Sequence, residues 1–184
     1  MSKKSKFPKV YGQQLIDEIN VHGLPWIRVG AVILNGHNEV CLIEEAKAKG
    51  DDGEYHDVYD VWNIVGGRCA PGEALSDALA REILEETGFK VINTFDVVHV
   101  GYRTDPDNPY VIIVFLVHFD GKVGEPDPKE VRSVRWYKLD DVRWLAEAGK
   151  LRNTELVMGA IDNTICRLSN TSIFKLLCKY PSKT

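Results

Sequence analysis

The four cysteines, Cys41, Cys69, Cys166 and Cys178, stand far apart and form no CxxC pair. That excludes a zinc ribbon or a thioredoxin-type redox motif, and the thiols read as free in a reducing compartment. The five histidines are equally scattered and make no HExxH, and no GxSxG or other nucleophile motif accompanies them, so covalent catalysis has no support. No apolar run approaches the roughly 18 residues of a membrane span, and the opening MSKKSKFPK has no hydrophobic signal core. A cytoplasmic protein with no membrane partner is expected. Positive charge is also short: 23 Lys+Arg face 27 Asp+Glu, a net of −4. This offers no general footprint for duplex DNA or long RNA. Lys3, Lys4, Lys6 and Lys9 are a local exception, which reads as a solvated tail.

What is present is ordinary for one soluble domain: 184 residues, 44% hydrophobic and 27% charged. Val10 to Asn20 has helical spacing and is closed by Gly23-Leu24-Pro25. Arg28 to Leu34 reads as a buried strand, Asn35-Gly36 as a turn, and Val40 to Ile43 as the returning hairpin partner. Glu44 to Asp60 carries seven acidic residues and two lysines, broken by Gly50 and Gly53. It reads as a long acidic loop. A short strand at Val61 to Val65 runs into Gly66-Gly67, and Glu73 to Thr87 reads as a helix stopped by Gly88. Strands follow at Val91 to Val100, at Tyr110 to Phe119 (apolar enough to be central) and at Val134 to Tyr137. Helices follow at Leu139 to Ala148 and within Thr154 to Lys179. Mixed strands and helices point to an α/β or α+β sandwich with a mixed sheet. The expected organisation is a tail and helix over 1–25, a domain over 26–148 and a helical extension over 149–184.

The informative segment is GGRCAPGEALSDALAREILEETGF, residues 66 to 89. On a helical wheel Glu82, Glu85 and Glu86 share one arc of about 100°, while Leu79, Ala80, Ile83 and Leu84 occupy the adjoining arc toward a core. Three like charges on one face cost a few tenths of a kcal/mol per close pair. They also sit in the last turn, where the helix dipole disfavours anions. Packing does not call for that arrangement, whereas a hard divalent cation does. Arg81, four residues after Asp77 and four before Glu85, is placed to hold a carboxylate. Gly66-Gly67 lets the backbone approach a ligand closely, and Pro71-Gly72 delivers Glu73 to the helix start. Gly67 and Gly72 have P-loop spacing, but Glu73-Ala74 follows where Lys-Ser/Thr would be needed.

Gly67, Glu73, Arg81-Glu82-Ile83, Glu85-Glu86 and Gly88-Phe89, nine specified positions over 23 residues, together resemble the complete Nudix box of MutT-like hydrolases. Trp62 to Gly67 is similar to the family's strand entry, with Val65 where proline is usual. Glu130 to Tyr137 is similar to its later acidic turn and strand, with Ser133 where many relatives carry a second acid. The resemblance implies a Nudix-type α/β/α sandwich and Mg²⁺ or Mn²⁺ held by Glu82, Glu85, Glu86 and the Gly66 carbonyl. Glu73 and Arg81 would support the loop and helix, with Arg81 counted among the catalytic set. It further implies water attack on a pyrophosphate attached to a nucleoside, with Glu130 or Glu82 as general base. The expected partner is a small nucleotide, such as an oxidised guanine nucleotide or ADP-ribose, rather than long nucleic acid. Tyr55, Tyr59 and Trp62 are the candidates to stack on its base. A non-catalytic nucleotide-binding regulator and an RNA 5′-end pyrophosphohydrolase are the alternatives, and a homodimer is left open.

Overall fold

The computed structural model describes residues 26–49, 54–103 and 109–169. The helix expected over 10–20, the lysine-rich start and the end of the final helix lie outside them. Strands β1 (Trp26–Ile33), β2 (Val40–Glu45), β3 (Lys47–Lys49), β4 (Tyr55–Asp57), β5 (Trp62–Asn63) and β6 (Val65–Arg68) precede helix α1 (Leu75–Thr87). Then come β7 (Phe89–Arg103), β8 (Tyr110–Lys122), β9 (Val131–Tyr137), α2 (Leu139–Glu147) and α3 (Thr154–Ser169). One sheet has the order β6-β1-β8-β7, a second β5-β2-β9, and β3-β4 form a two-stranded ribbon. The apolar strand β8 is central, parallel to β1 and antiparallel to β7, so the sheet is mixed as expected.

Alternation along the strands sorts side chains into two cores. Val29, Ala31 and Ile33 of β1 pack with Cys41, Ile43 and Val65 beneath Ala78, Leu79 and Ile83 of α1. Val32, Leu42, Trp62, Ile64 and Val114 pack beneath Val142 and Leu145 of α2 and Val157, Ala160 and Ile161 of α3. Helices thus cover both faces, and the α/β/α sandwich is the architecture. Helix α3 contributes fully to the second core, with Val157 and Ala160 both at 0% exposure.

Two local readings change. The turn after β1 forms, closed by Asn35 N–H to Glu39 O at 3.1 Å, but β1 and β2 are not hairpin partners: only a single Leu34–Val40 bridge joins them. Both edges of β1 are taken by β6 and β8, and both edges of β2 by β5 and β9, so the chain crosses between sheets at the turn. The expected acidic loop includes the β3–β4 ribbon, with Lys47 opposite Asp57 and Ala48 opposite His56. Glu44 and Glu45 belong to β2 itself.

Candidate active site

Helix α1 starts at Leu75 behind Ala74, which makes no side-chain cap, so Glu73 precedes the helix. Its carboxylate instead accepts the Ala70 N–H at 2.8 Å and is gripped by Arg81 through Nε at 2.9 Å and Nη2 at 3.0 Å. The paired hydrogen bonds from Arg81, then that from Ala70, hold Glu73 down at a pKa of about 2. Arg81 is a hub. Its Nη1 also donates to Glu82 at 2.8 Å and Glu85 at 3.1 Å, and its Nη2 to the Arg68 carbonyl at 3.0 Å. One guanidinium therefore ties the loop after β6 to two of the three helix acids.

The glycine pair fits against those acids. Gly66 donates its N–H to Glu86 Oε2 at 2.7 Å. It has φ +151°, and a Cβ there would lie 2.2 Å from the Val29 carbonyl. At Gly67 a Cβ would lie 2.2 Å from the Glu82 carboxylate. Burial, opposed by that Gly66 N–H and reinforced by Glu82, Glu130 and Glu45, raises the Glu86 pKa well above the ordinary range. Burial likewise raises Glu82, against the pull of Arg81. Two different outcomes are expected from alanine here. Gly66→Ala meets rigid backbone at a left-handed φ and should lower the thermal midpoint by several degrees. Gly67→Ala meets only the end of a side chain. It should leave the midpoint within about 2 °C and displace Glu82, reducing activity by about tenfold or more. Melting curves and turnover of the two variants check this; equal losses of stability would contradict it.

Glu130 reaches the cluster because the end of α1 anchors its loop. Val123 and Gly124 donate to the Gly88 carbonyl at 2.8 and 3.1 Å, and Asp127 to that of Glu85 at 2.8 Å. These bonds satisfy carbonyls at the helix end that have no partner within the helix. A Cβ on Gly88, at φ +73°, would strike the Gly124 carbonyl at 2.0 Å, so glycine is needed for the close approach as well as the cap. Glu130 closes the loop, with its carbonyl accepting the Ala46 N–H at 2.8 Å, and its charge acts on both Glu82 and Glu86.

The base-stacking candidates divide. Trp62 is 2% exposed, packed edge-on against Tyr137 at 4.9 Å. It belongs to the core and offers no face to a base, which corrects the expectation. Tyr55 and Tyr59 are each 68% exposed, and Arg132 lies over the Tyr59 ring at 4.0 Å. Sequence reading missed Glu45. It shares the Cys41–Ile43 face beneath α1, acts on Glu86, and is held by Asn63 Nδ2 at 2.8 Å and Arg152 Nη1 at 2.7 Å. Counting by twos along β2 would have found it.

Among the described residues no three of these acids converge at ligand distance, because Arg81 holds Glu82 and Glu85 while Gly66 holds Glu86. The donor set is nevertheless all carboxylate oxygen, suited to Mg²⁺. A single cationic nitrogen, Nη1 of Arg81, already bridges Glu82 and Glu85.

The NUDIX domain family model matches residues 24–157. The chain belongs to the Nudix family. A curated relative, the NAD-capped RNA hydrolase NudC of Escherichia coli O157:H7, is 33% identical over 92 residues, 48% of this chain. The match spans only 34% of that relative's length. A MutT NUDIX hydrolase structure from Burkholderia pseudomallei is 26% identical with a TM-score of 0.52, covering 64% of this Nudix chain and 85% of its own. A NUDIX hydrolase from Nitrosomonas europaea, at 23% identity, shares the fold with a TM-score of 0.65 over 78% of this chain and 90% of its own.

Proposed function

We propose that the protein hydrolyses the pyrophosphate bond of a nucleoside diphosphate linked to a further group, with Mg²⁺ or Mn²⁺ held by Glu82, Glu85, Glu86 and the Gly66 carbonyl. The observation that carries this reading is the acid cluster itself. Two half-buried or buried carboxylates with raised pKa values face a third on one helix, against glycines that let the backbone close in. A divalent cation bound there neutralises phosphate oxygens and acidifies water. The chain's own contribution is geometric and acid–base. Arg81 keeps Glu82 and Glu85 in fixed rotamers and ties them to Glu73. Glu130 approaches from the opposite loop, and its carboxylate oxygen accepts the proton of the attacking water. Water adds to one phosphorus, the bridging P–O bond breaks, and the departing phosphate carries off the charge. The presence of all three metal-site acids, Glu82, Glu85 and Glu86, favours a catalyst over a regulatory binding module.

A panel of ADP-ribose, oxidised guanine nucleotides, NAD⁺ and dinucleoside polyphosphates, assayed with Mg²⁺ and with EDTA, tests this reading. Turnover of at least one compound, lost in EDTA, is the expected result; none in any of them would remove the hydrolase assignment.

The NudC relative is named for NAD-capped RNA, which favours a second reading with a polymer substrate. The acidic stretch over 44–60 argues for small substrates, since its charge repels a phosphate backbone. Arg132 fastens it beside Glu130 by donating to the Val58 carbonyl at 3.0 Å. Neutralising Asp51, Asp52 and Glu54, and sparing Asp57, which faces Arg132 at 3.8 Å, should leave small-substrate kcat within about twofold. The same change should raise any activity on 5′-capped or 5′-triphosphorylated RNA several-fold at low salt. Wild-type preference for RNA over every mononucleotide would overturn the small-substrate reading.

A further inference from the structure

Strand β9 is irregular at its start. Val131 lies opposite Glu45 and Ser133 opposite Glu44, so Arg132 is an extra residue between two paired ones. A bulge of this kind re-aims a side chain and is frequent beside active sites. Here it lets Val131 and Val134 both face the core beneath α1, and Arg132 points to the β3–β4 ribbon instead. Its guanidinium reaches both arms of that ribbon. Nε donates to the Val58 carbonyl at 3.0 Å, just past β4, and Nη2 to the Ala46 carbonyl at 3.3 Å, just before β3. The Tyr59 ring lies against the same guanidinium at 4.0 Å. A two-stranded ribbon is marginal by itself, and this one has three paired positions, so the anchor at its root matters. Ala46 joins that anchor to the site. Its carbonyl accepts from Arg132 and from the Val58 N–H at 3.1 Å, while its own N–H donates to the Glu130 carbonyl at 2.8 Å. Glu130 is thus held on one side by the loop pinned to α1 and on the other by Ala46.

We propose that Arg132 is a positioning residue for the general base: by clamping both arms of the ribbon it fixes Ala46, and through Ala46 the backbone of Glu130. A lysine would keep the charge but lacks the planar fork that serves two carbonyls and lies flat on a ring. This rests on the reading of Glu130 as the acceptor of the water proton, but the clamp can be tested without turnover.

With no substrate present, Arg132→Ala should speed amide hydrogen exchange at Ala46 and Val58 by about tenfold or more, while interior amides of α1 exchange as in wild type. The unchanged helix shows that the variant is folded. On a substrate that the protein turns over, Arg132→Ala should lower kcat by roughly ten- to a hundredfold, the cost of a misplaced catalytic group. KM should move less than about threefold, and Arg132→Lys should recover little of the loss. In a Glu130→Gln background, Arg132→Ala should cost less than about twofold more, because the group it positions is already gone. Unchanged exchange at Ala46, a loss confined to KM, full recovery by lysine, or equal losses with and without Glu130 would overturn the proposal. If Arg132→Ala frees Ala46 in a protein that hydrolyses nothing, the clamp stands and the hydrolase assignment falls.

Discussion

Glu86→Gln is expected to reduce metal-dependent turnover by about a hundredfold to a thousandfold while leaving the metal-free protein more stable. The side chain is 9% exposed and accepts the Gly66 N–H, a bond that the carbonyl of Gln can keep. What disappears is a buried negative charge held beside Glu82, Glu130 and Glu45. Glu82→Gln should act in the same direction with a smaller gain in stability, since Arg81 partly neutralises Glu82. The pH dependence has a definite sign. The folded-state pKa of Glu86 lies above its unfolded value of roughly 4.3, so the folded chain binds the proton more tightly than the unfolded one. Stability is then fullest at pH below that unfolded value and declines as pH rises through the folded pKa. In EDTA the thermal midpoint of Glu86→Gln minus that of wild type should therefore grow as pH is raised from about 5 to about 8. A difference that shrinks over that range would contradict the burial argument.

Glu130→Gln is expected to lower kcat by about 10²- to 10⁴-fold, the usual worth of a positioned general base, with KM and metal affinity nearly unchanged. The loop that carries it is pinned to the Gly88 and Glu85 carbonyls through the backbone, so the substitution does not disturb its anchor. Its side chain is exposed, which leaves it room to meet water from outside the metal cluster. A loss limited to a few-fold would transfer the role to Glu82, which is more buried and whose pKa that burial raises above the usual carboxylate range.

The site was legible in the sequence where spacing along a helix decides geometry. Glu82, Glu85 and Glu86 at i, i+3 and i+4, with Arg81 reaching Glu85 one turn on, needed only the helical period. Glu73 was read as a helix-start charge and proved to be half of a two-pronged pair with Arg81, because the preceding loop curls back and α1 begins only at Leu75. Contacts between sheets were not legible. The β1–β2 turn was read correctly as a turn, but which strands occupy each edge depends on later partners, from Trp62 opposite Glu44 to Tyr137 opposite Val40, so a hairpin was the natural and mistaken inference. Trp62 failed for a related reason: an aromatic beside a binding strand is read equally well as platform or core, and the closing segment before α3, donating from Arg152 to the Trp62 carbonyl at 2.8 Å, puts it in the core. Glu45 lies on the alternation of β2 and could have been counted onto the Cys41–Ile43 face, but that this face meets Glu86 of α1 is set only by the assembled sandwich.

The central claim is that Glu82, Glu85 and Glu86 of one helix hold a divalent cation. Titrating Mn²⁺ into the protein and following the free-ion signal by electron paramagnetic resonance tests it without knowledge of the substrate. The account expects wild-type protein to take up Mn²⁺ in competition with Mg²⁺, and Glu86→Gln and Glu82→Gln each to weaken that uptake by tenfold or more. Folded variants that bind Mn²⁺ as tightly as wild type would contradict it.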